Sequence, residues 1–335
     1  MFKIRSLVVA LALASSASVA FAQALPTKAP APADNPTTAE KVALGKMLYH
    51  DPRLSSSGTV SCSSCHNTML GGEDNRAGSV GVEGQVGGRS APTVWNSAFN
   101  KVQFWDGRAA SLEEQAAGPV TNPIEMGMKS WDEVVVRLKA IDGYQAAFEK
   151  AFGKNAISKD TATKAIAAYE RTLITPNSPF DKYVKGNKSA MTKQQIRGMN
   201  KAVELGCTAC HSGPAFNGPG VFQKFPVIDN GYFEAQYGFK DDKGLAEVTK
   251  KAADEHMWKV PTLRNIALTA PYFHNGSVKT LEKAVKLMAK LQLGQDLAKA
   301  DVADIVAFLD ALTGEFPKQE MPVLPAGKVG TTFNK

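Results

Sequence analysis

Apolar residues recur along this chain at helical spacing, in runs separated by long polar stretches. Ser130 and Glu133 form a capping-box pattern ahead of Val134, Val135, Leu138 and Ile141, which predicts one amphipathic helix. A second periodic run covers Lys159 to Leu173, and Thr175-Pro176-Asn177-Ser178-Pro179 stops it. Thr192 and Gln195 repeat the capping pattern before a helix that ends at Gly206. Near the end, Asp301 is expected to cap a helix striped with Val302, Ile305, Val306, Leu309 and Leu312 and closed by Gly314. No long alternation of apolar and polar residues predicts a sheet. The fold class expected is mainly α, with long Gly/Pro-rich loops. Residues 71–90 hold seven glycines, and residues 213–244 are rich in Gly, Pro and aromatics. Connections of that length in a compact domain are functional or mobile.

The amino terminus sets a compartment. Lys3 and Arg5 precede an apolar stretch from Ser6 to Ala17, and Ala20-Phe21-Ala22 offers the small residues of a cleavage site. Residues 1–22 therefore read as a signal peptide cleaved after Ala22, and the mature protein as periplasmic. Its apolar run is short for a bilayer span, and no later segment reaches the ~20 apolar residues that a span needs. Pro26, Pro30, Pro32 and Pro36 keep residues 23–40 from forming a helix, so a flexible leader is expected. The remainder has room for two domains, 41–175 and 176–316, followed by a tail, 317–335. Loss of Lys3 and Arg5 lowers the formal charge from +7 to +5. No compact basic stripe or reading motif accompanies that charge, which argues against nucleic acid.

Four cysteines in an exported chain suggest two disulfides, but their spacing says otherwise. Cys62-Ser-Ser-Cys65-His66 and Cys207-Thr-Ala-Cys210-His211 both carry the attachment signature of a c-type haem. One helical turn puts both thiols of a pair on one face, within reach of the two porphyrin vinyl groups. The histidine that follows presents an imidazole beneath the plane as proximal iron ligand. A zinc site would need the pairs closer together, and a thioredoxin-like dithiol would need a βαβ setting. The mature protein is thus expected to be two c-type cytochrome domains, each with one covalent haem.

Three stretches resemble the bacterial di-haem cytochrome c peroxidases. They are residues 44–66 (LGKMLYHDPRLSSSGTVSCSSCH), 91–127 (APTVWNSAFNKVQFWDGRAASLEEQAAGPVTNPIEMG) and 260–288 (VPTLRNIALTAPYFHNGSVKTLEKAVKLM). The resemblance implies reduction of hydrogen peroxide at the N-terminal haem, with electrons from a small cytochrome c or cupredoxin received at the C-terminal one. It implies Met288 as axial ligand of the second iron, Glu125 as the acid above the first, Gln115 as its pocket neighbour and Trp105 as the residue between the haems. His274 is placed near the second haem, and His50 and His256 in packing or at the surface. A calcium ion between the domains is implied at the backbone oxygens of Thr269 and Pro271, with Ser90 standing where the loop's asparagine side chain is usual. A homodimer is among the assemblies the family allows.

Two other functions compete with this reading. A non-catalytic di-haem electron carrier would need both irons six-coordinate, yet no histidine lies between His66 and His211 to close the first. A di-haem oxidase of the methylamine-utilisation type, acting on a partner protein, would carry tyrosine where Met288 stands. One departure from the family also matters. Many members have a histidine in the loop after the first haem motif that ligates the oxidised first iron, and here that position is Val82.

Overall fold

The computed structural model describes residues 23–218, 220–229 and 231–326. In the first half, the Thr38 hydroxyl caps α1 (Ala39–His50), which buries Leu44, Leu48 and Tyr49. The first Cys-x-x-Cys is a single turn, α2 (Cys62–Cys65). After the glycine-rich loop come α3 (Leu112–Thr121), capped by Ser111, and α4 (Trp131–Lys139), capped by Ser130. Then follow α5 (Asp142–Phe152) and α6 (Lys159–Glu170), the latter opened by a Ser158–Thr161 capping box.

The second half runs through α7 (Pro179–Val184), α8 (Lys193–Glu204) and the second one-turn motif, α9 (Cys207–Cys210). A small hairpin-like pair follows, β1 (Phe222–Lys224) antiparallel to β2 (Met257–Lys259), with short helices α10 (Tyr232–Tyr237) and α11 (Ala246–Thr249) between them. It ends with α12 (Leu281–Leu293), capped by Thr280, and α13 (Lys299–Asp310). Thr192 and Gln195 make the expected capping box on α8.

Both halves are built on the same helix crossing. A Cβ added to Gly45 of α1 would lie 1.8 Å from the Ala165 carbonyl oxygen of α6. One added to Gly198 of α8 would lie 1.7 Å from the Asp304 oxygen of α13. Only glycine lets each pair of backbones approach so closely. One apolar cluster gathers α1, α4, α5 and α6; a second gathers Phe180, Phe216, Ile305, Phe308 and Leu312; a third surrounds Phe225, Trp258 and Leu287.

The halves also share a repeat, in residues 91–121 and 260–290. Asn96 and Asn265 are both left-handed (φ 64 and 60), as are Phe104 and Phe273 (φ 69 each). Isolated bridges join Gln103 to Ala109 and, correspondingly, Tyr272 to Val278. Where the halves meet, the repeat makes a reciprocal contact: Ser90 N–H donates to the His274 oxygen (2.8 Å) and Lys259 N–H to the Trp105 oxygen (2.9 Å). Such an exchange is the pattern of a two-fold interface.

Some expectations need correction. Asp301 lies inside the first turn of α13, whose N-cap is Ala298, and its carboxylate faces Lys201 at 3.9 Å. The helix predicted from Val134 to Ile141 stops at Lys139, because Ile141 takes extended backbone as the N-cap of α5. The leader is extended, as its prolines require, but residues 23–38 are pinned. Leu25 is 1% exposed and donates its N–H to Asp181 (2.9 Å), while buried Asn35 donates to Glu113 and the Lys164 carbonyl. The tail returns over the first half, where Arg53 donates to the Pro325 carbonyl. The signal-peptide reading concerns residues 1–22, outside the described residues. Among the described residues no helix is long and apolar enough to cross a membrane.

Candidate active site

The first Cys-x-x-Cys turn starts at Ser61, whose hydroxyl and backbone exchange capping bonds with Ser64. That fixes the turn after which His66 N–H donates to the Cys62 carbonyl (2.9 Å). The Tyr49 hydroxyl holds the His66 carbonyl at 2.6 Å, and the ring's Nδ1 sits 3.0 Å from the Pro92 carbonyl. A ring that donates from Nδ1 leaves Nε2 as a lone pair for a metal. Burial lowers the His66 pKa, which favours that neutral form.

Over His66 lies a cavity of about 540 Å³ that also touches Cys65, Gln115, Pro119, Glu125, Trp105 and Arg108. Glu125 accepts a bond from the Asn122 side-chain amide (2.8 Å). Burial raises its pKa, against opposing effects of Arg108 and Asn122. The glycine-rich loop is stitched to this acid's segment. Val82 N–H donates to the Glu125 carbonyl (2.9 Å), and the Gln85 amide to the Pro123 carbonyl (3.0 Å). Gly81 permits the contact, since a Cβ there would lie 1.9 Å from the Ile124 oxygen. Val82 itself is buried.

Gly206, left-handed at φ 84, turns the chain from α8 into α9. His211 repeats the first arrangement, with Nδ1 3.3 Å from the Phe216 carbonyl. Two smaller cavities, about 110 and 170 Å³, border this ring, and Cys207, Trp105 and Met288 line both. Met288 is carried by α12. Counted along the repeat from Leu112 and Leu281, the position of Met288 in the first half is Pro119. The proline lines the His66 cavity, and its side chain has no atom to give a metal.

Trp105 borders all three cavities and donates its indole N–H to the Ser90 carbonyl (2.9 Å). Its ring meets His274 edge-on at 6.5 Å, and His274 stacks on Trp258 at 4.0 Å. Burial pushes His274 down to about 4. Arg89 lies over Trp258 at 5.2 Å while pairing with Asp106 (2.5 Å) and Asp242 (2.6 Å). His50 and His256 line none of these cavities; His256 Nδ1 contacts the Asp242 carbonyl (3.0 Å).

The structure therefore gathers Cys62, Cys65, His66, Gln115 and Glu125 in one half, Cys207, Cys210, His211 and Met288 in the other, and Trp105 between them. Sequence reasoning missed Pro119, Arg89, Trp258, Lys259 and the buried Glu170. The repeat was the available signal for Pro119. For calcium the resemblance proposes the Ser90 side chain and the backbone oxygens of Thr269 and Pro271. Ser90 spends its hydroxyl on the Arg76 carbonyl and its own carbonyl on Trp105, and Thr269 donates its hydroxyl to Ile266. Calcium takes six to eight oxygens, usually with carboxylates among them. Among the described residues no group of three His, Cys, Asp or Glu side chains could hold a metal ion. The Ser90 hydroxyl is engaged elsewhere, and a calcium ion would rest on the backbone oxygens of Thr269 and Pro271.

Two histidines poised for iron behind paired thiols, in a mainly helical fold with a shared repeat, define the class of two-haem c-type proteins. A family model described as "Di-haem cytochrome c peroxidase" matches residues 39–189. The chain is 46% identical over 297 residues to cytochrome c551 peroxidase of Nitrosomonas europaea, covering 88% of this chain and 86% of that one. It is 48% identical over 291 residues to cytochrome c peroxidase Ccp of Escherichia coli, covering 86% of this chain but 61% of the longer relative. A solved MauG-like protein associated with microbial copper homeostasis superposes with a TM-score of 0.77 at 30% identity, over 87% of this chain and 94% of that one. The chain belongs to the di-haem cytochrome c peroxidase family, and it is an enzyme of the peroxidase type.

Proposed function

We propose that this protein, in the periplasm, reduces hydrogen peroxide in the His66 cavity with electrons received at the His211 cavity from a small cytochrome c or cupredoxin. The observation that carries this assignment is the unequal repeat. Where the second half offers Met288 opposite His211, the first has Pro119, leaving space beside Gln115 and Glu125. When bound, a haem in each cavity supplies an iron that stores and passes electrons, and two such centres suit a two-electron reaction.

The overall reaction takes H₂O₂, two electrons and two protons to two waters. Glu125 accepts a proton from one peroxide oxygen and returns it to the other, which leaves as water; burial raises its proton affinity against the opposing effects of Arg108 and Asn122. Asn122 holds the carboxylate in place through its amide. Gln115 borders the same space and orients the peroxide by hydrogen bonding. His66 and His211 would hold the iron through Nε2, since a carbonyl faces each Nδ1. Trp105 fills the space between the cavities and shortens the path for electrons.

The His66 cavity is also proposed to keep its peroxide face open in the fully oxidised protein. Val82 cannot ligate iron, Met69 is 73% exposed, and Met126 and Met128 are buried in the first apolar cluster. Peroxide then reacts without prior reduction. Stoichiometric peroxide mixed with oxidised protein should shift the Soret band and remove a high-spin EPR signal. A purely low-spin spectrum that stays inert until an electron is supplied would defeat this. The donor assignment is checked by steady-state turnover of peroxide with a reduced small cytochrome or cupredoxin. Absence of turnover with every such donor, together with oxidation of a partner protein's side chains, would favour the methylamine-utilisation type of reaction.

A further inference from the structure

The repeat differs at one more position, which the mechanism leaves unused. Lys259 stands where the first half has Ser90. The side chain is 7% exposed and borders the His211 cavity together with Cys207, Cys210 and Met288. Its backbone N–H is committed to Trp105, and among the described residues no carboxylate or carbonyl receives its ammonium. Asp106 and Asp242 are already taken by Arg89. Desolvation alone pushes the amine down to about 8, and its charge is felt at His211. A buried cation without a counter-ion is strongly disfavoured. Two neighbours on the same cavity wall share the condition, since Trp258 Nε1 and His274 Nε2 are buried without hydrogen-bond partners.

We propose that Lys259 is the counter-ion of a carboxylate on the haem held at Cys207 and Cys210, and that this pair helps to hold the second haem at a higher potential than the first. The inference rests on the two-haem assignment above. Porphyrin propionates are the acids a c-type haem brings, and three nitrogens lacking acceptors border the cavity that would receive them. Ferric haem carries one more positive charge than ferrous, so a nearby ammonium favours the reduced form. Removing it leaves the propionate's negative charge unopposed at the iron, which lowers the potential. In the first half Ser90 stands at this position, and the cations that line the His66 cavity, Arg89 and Arg108, are already paired with Asp106 and Asp242.

The test is potentiometric titration of the holoenzyme, Lys259→Met and Lys259→Arg, following the methionine-ligated haem by absorbance, with haem content measured on each. The expected result is a downward shift of the second potential in Lys259→Met, no shift in the first, and recovery in Lys259→Arg, with two haems per chain throughout. Wild-type potentials in Lys259→Met with both haems present would overturn the proposal. So would a fall that arginine fails to restore, since that is a packing effect. If the methionine variant does not fold, Lys259→Gln carries the same comparison. Fewer than two haems in the unsubstituted protein would instead overturn the two-haem assignment itself.

Discussion

At the scale of single residues, two acids border the His66 cavity, half-buried Glu125 and buried Glu170, and they play different parts. Glu125 is engaged by Asn122 and faces Arg108, as a carboxylate that exchanges a proton should be. Glu125→Gln should retain both haems and lose turnover by roughly 10²- to 10⁴-fold, the usual contribution of a general acid–base group; near-wild-type kcat would transfer the role elsewhere. Glu170 is unlike it. One of its oxygens has no partner, its neighbour Arg171 pairs with Glu113 at 2.8 Å, and burial pushes its carboxyl up from 4.5 to about 8. A raised acid favours the folded state fully below about pH 4.5 and loses that contribution as pH rises toward 8. Glu170→Gln should therefore flatten the fall in stability across this window and gain about 1–3 kcal/mol at pH 7. Denaturant midpoints at pH 5 and pH 7 read the difference; parallel slopes for wild type and variant would contradict it.

At the scale of elements, glycines set the distance between helices. Gly45→Ala and Gly198→Ala must each push a backbone carbonyl away, and overpacking of this kind costs about 1–3 kcal/mol or more. Gly118 offers the contrast, lying inside α3 with a Cβ position 3.6 Å from Phe104. Gly118→Ala should be neutral or stabilising by up to about 1 kcal/mol, and thermal melts of the three variants would order them. The same scale governs Met288. Thr280 caps α12, whose register then decides which side chain meets the His211 cavity. Met288→Leu should lower the second haem's potential with haem content unchanged, because the thioether stabilises ferrous iron. An unaltered potential would remove Met288 as a ligand.

At the scale of the whole molecule, one fully buried ion pair ties the leader to the second half. Arg264 contacts Asp181 at 2.8 Å and donates to Ser178 and the Pro214 carbonyl, while Asp181 also receives the Leu25 N–H. Arg264→Met strands a buried carboxylate and should cost about 3–5 kcal/mol. A chemical-denaturation curve would show this as a lower midpoint at similar slope, and an unchanged midpoint would mean that Asp181 is satisfied without the arginine.

The features legible in the sequence are those with a local cause. The Cys62–His66 and Cys207–His211 turns, the caps at Ser130 and Thr192, and the break at Pro176 depend on neighbours within a few residues. Backbone hydrogen bonding and one helical turn are enough to set them. Asp301 was misjudged because an acid in a first turn and an acid at a cap look alike until backbone angles choose. The leader was misjudged because proline content rules out a helix but does not reveal that Asp181, far along the chain, will accept the Leu25 N–H. Tertiary structure alone decided that Trp105 borders both histidine cavities, that Arg89 spans Asp106 and Asp242, and that Lys259 is buried beside His211. Each depends on segments distant in the chain packing together. Close packing and desolvation, which give these groups their chemistry, arise between segments that share no sequence neighbourhood.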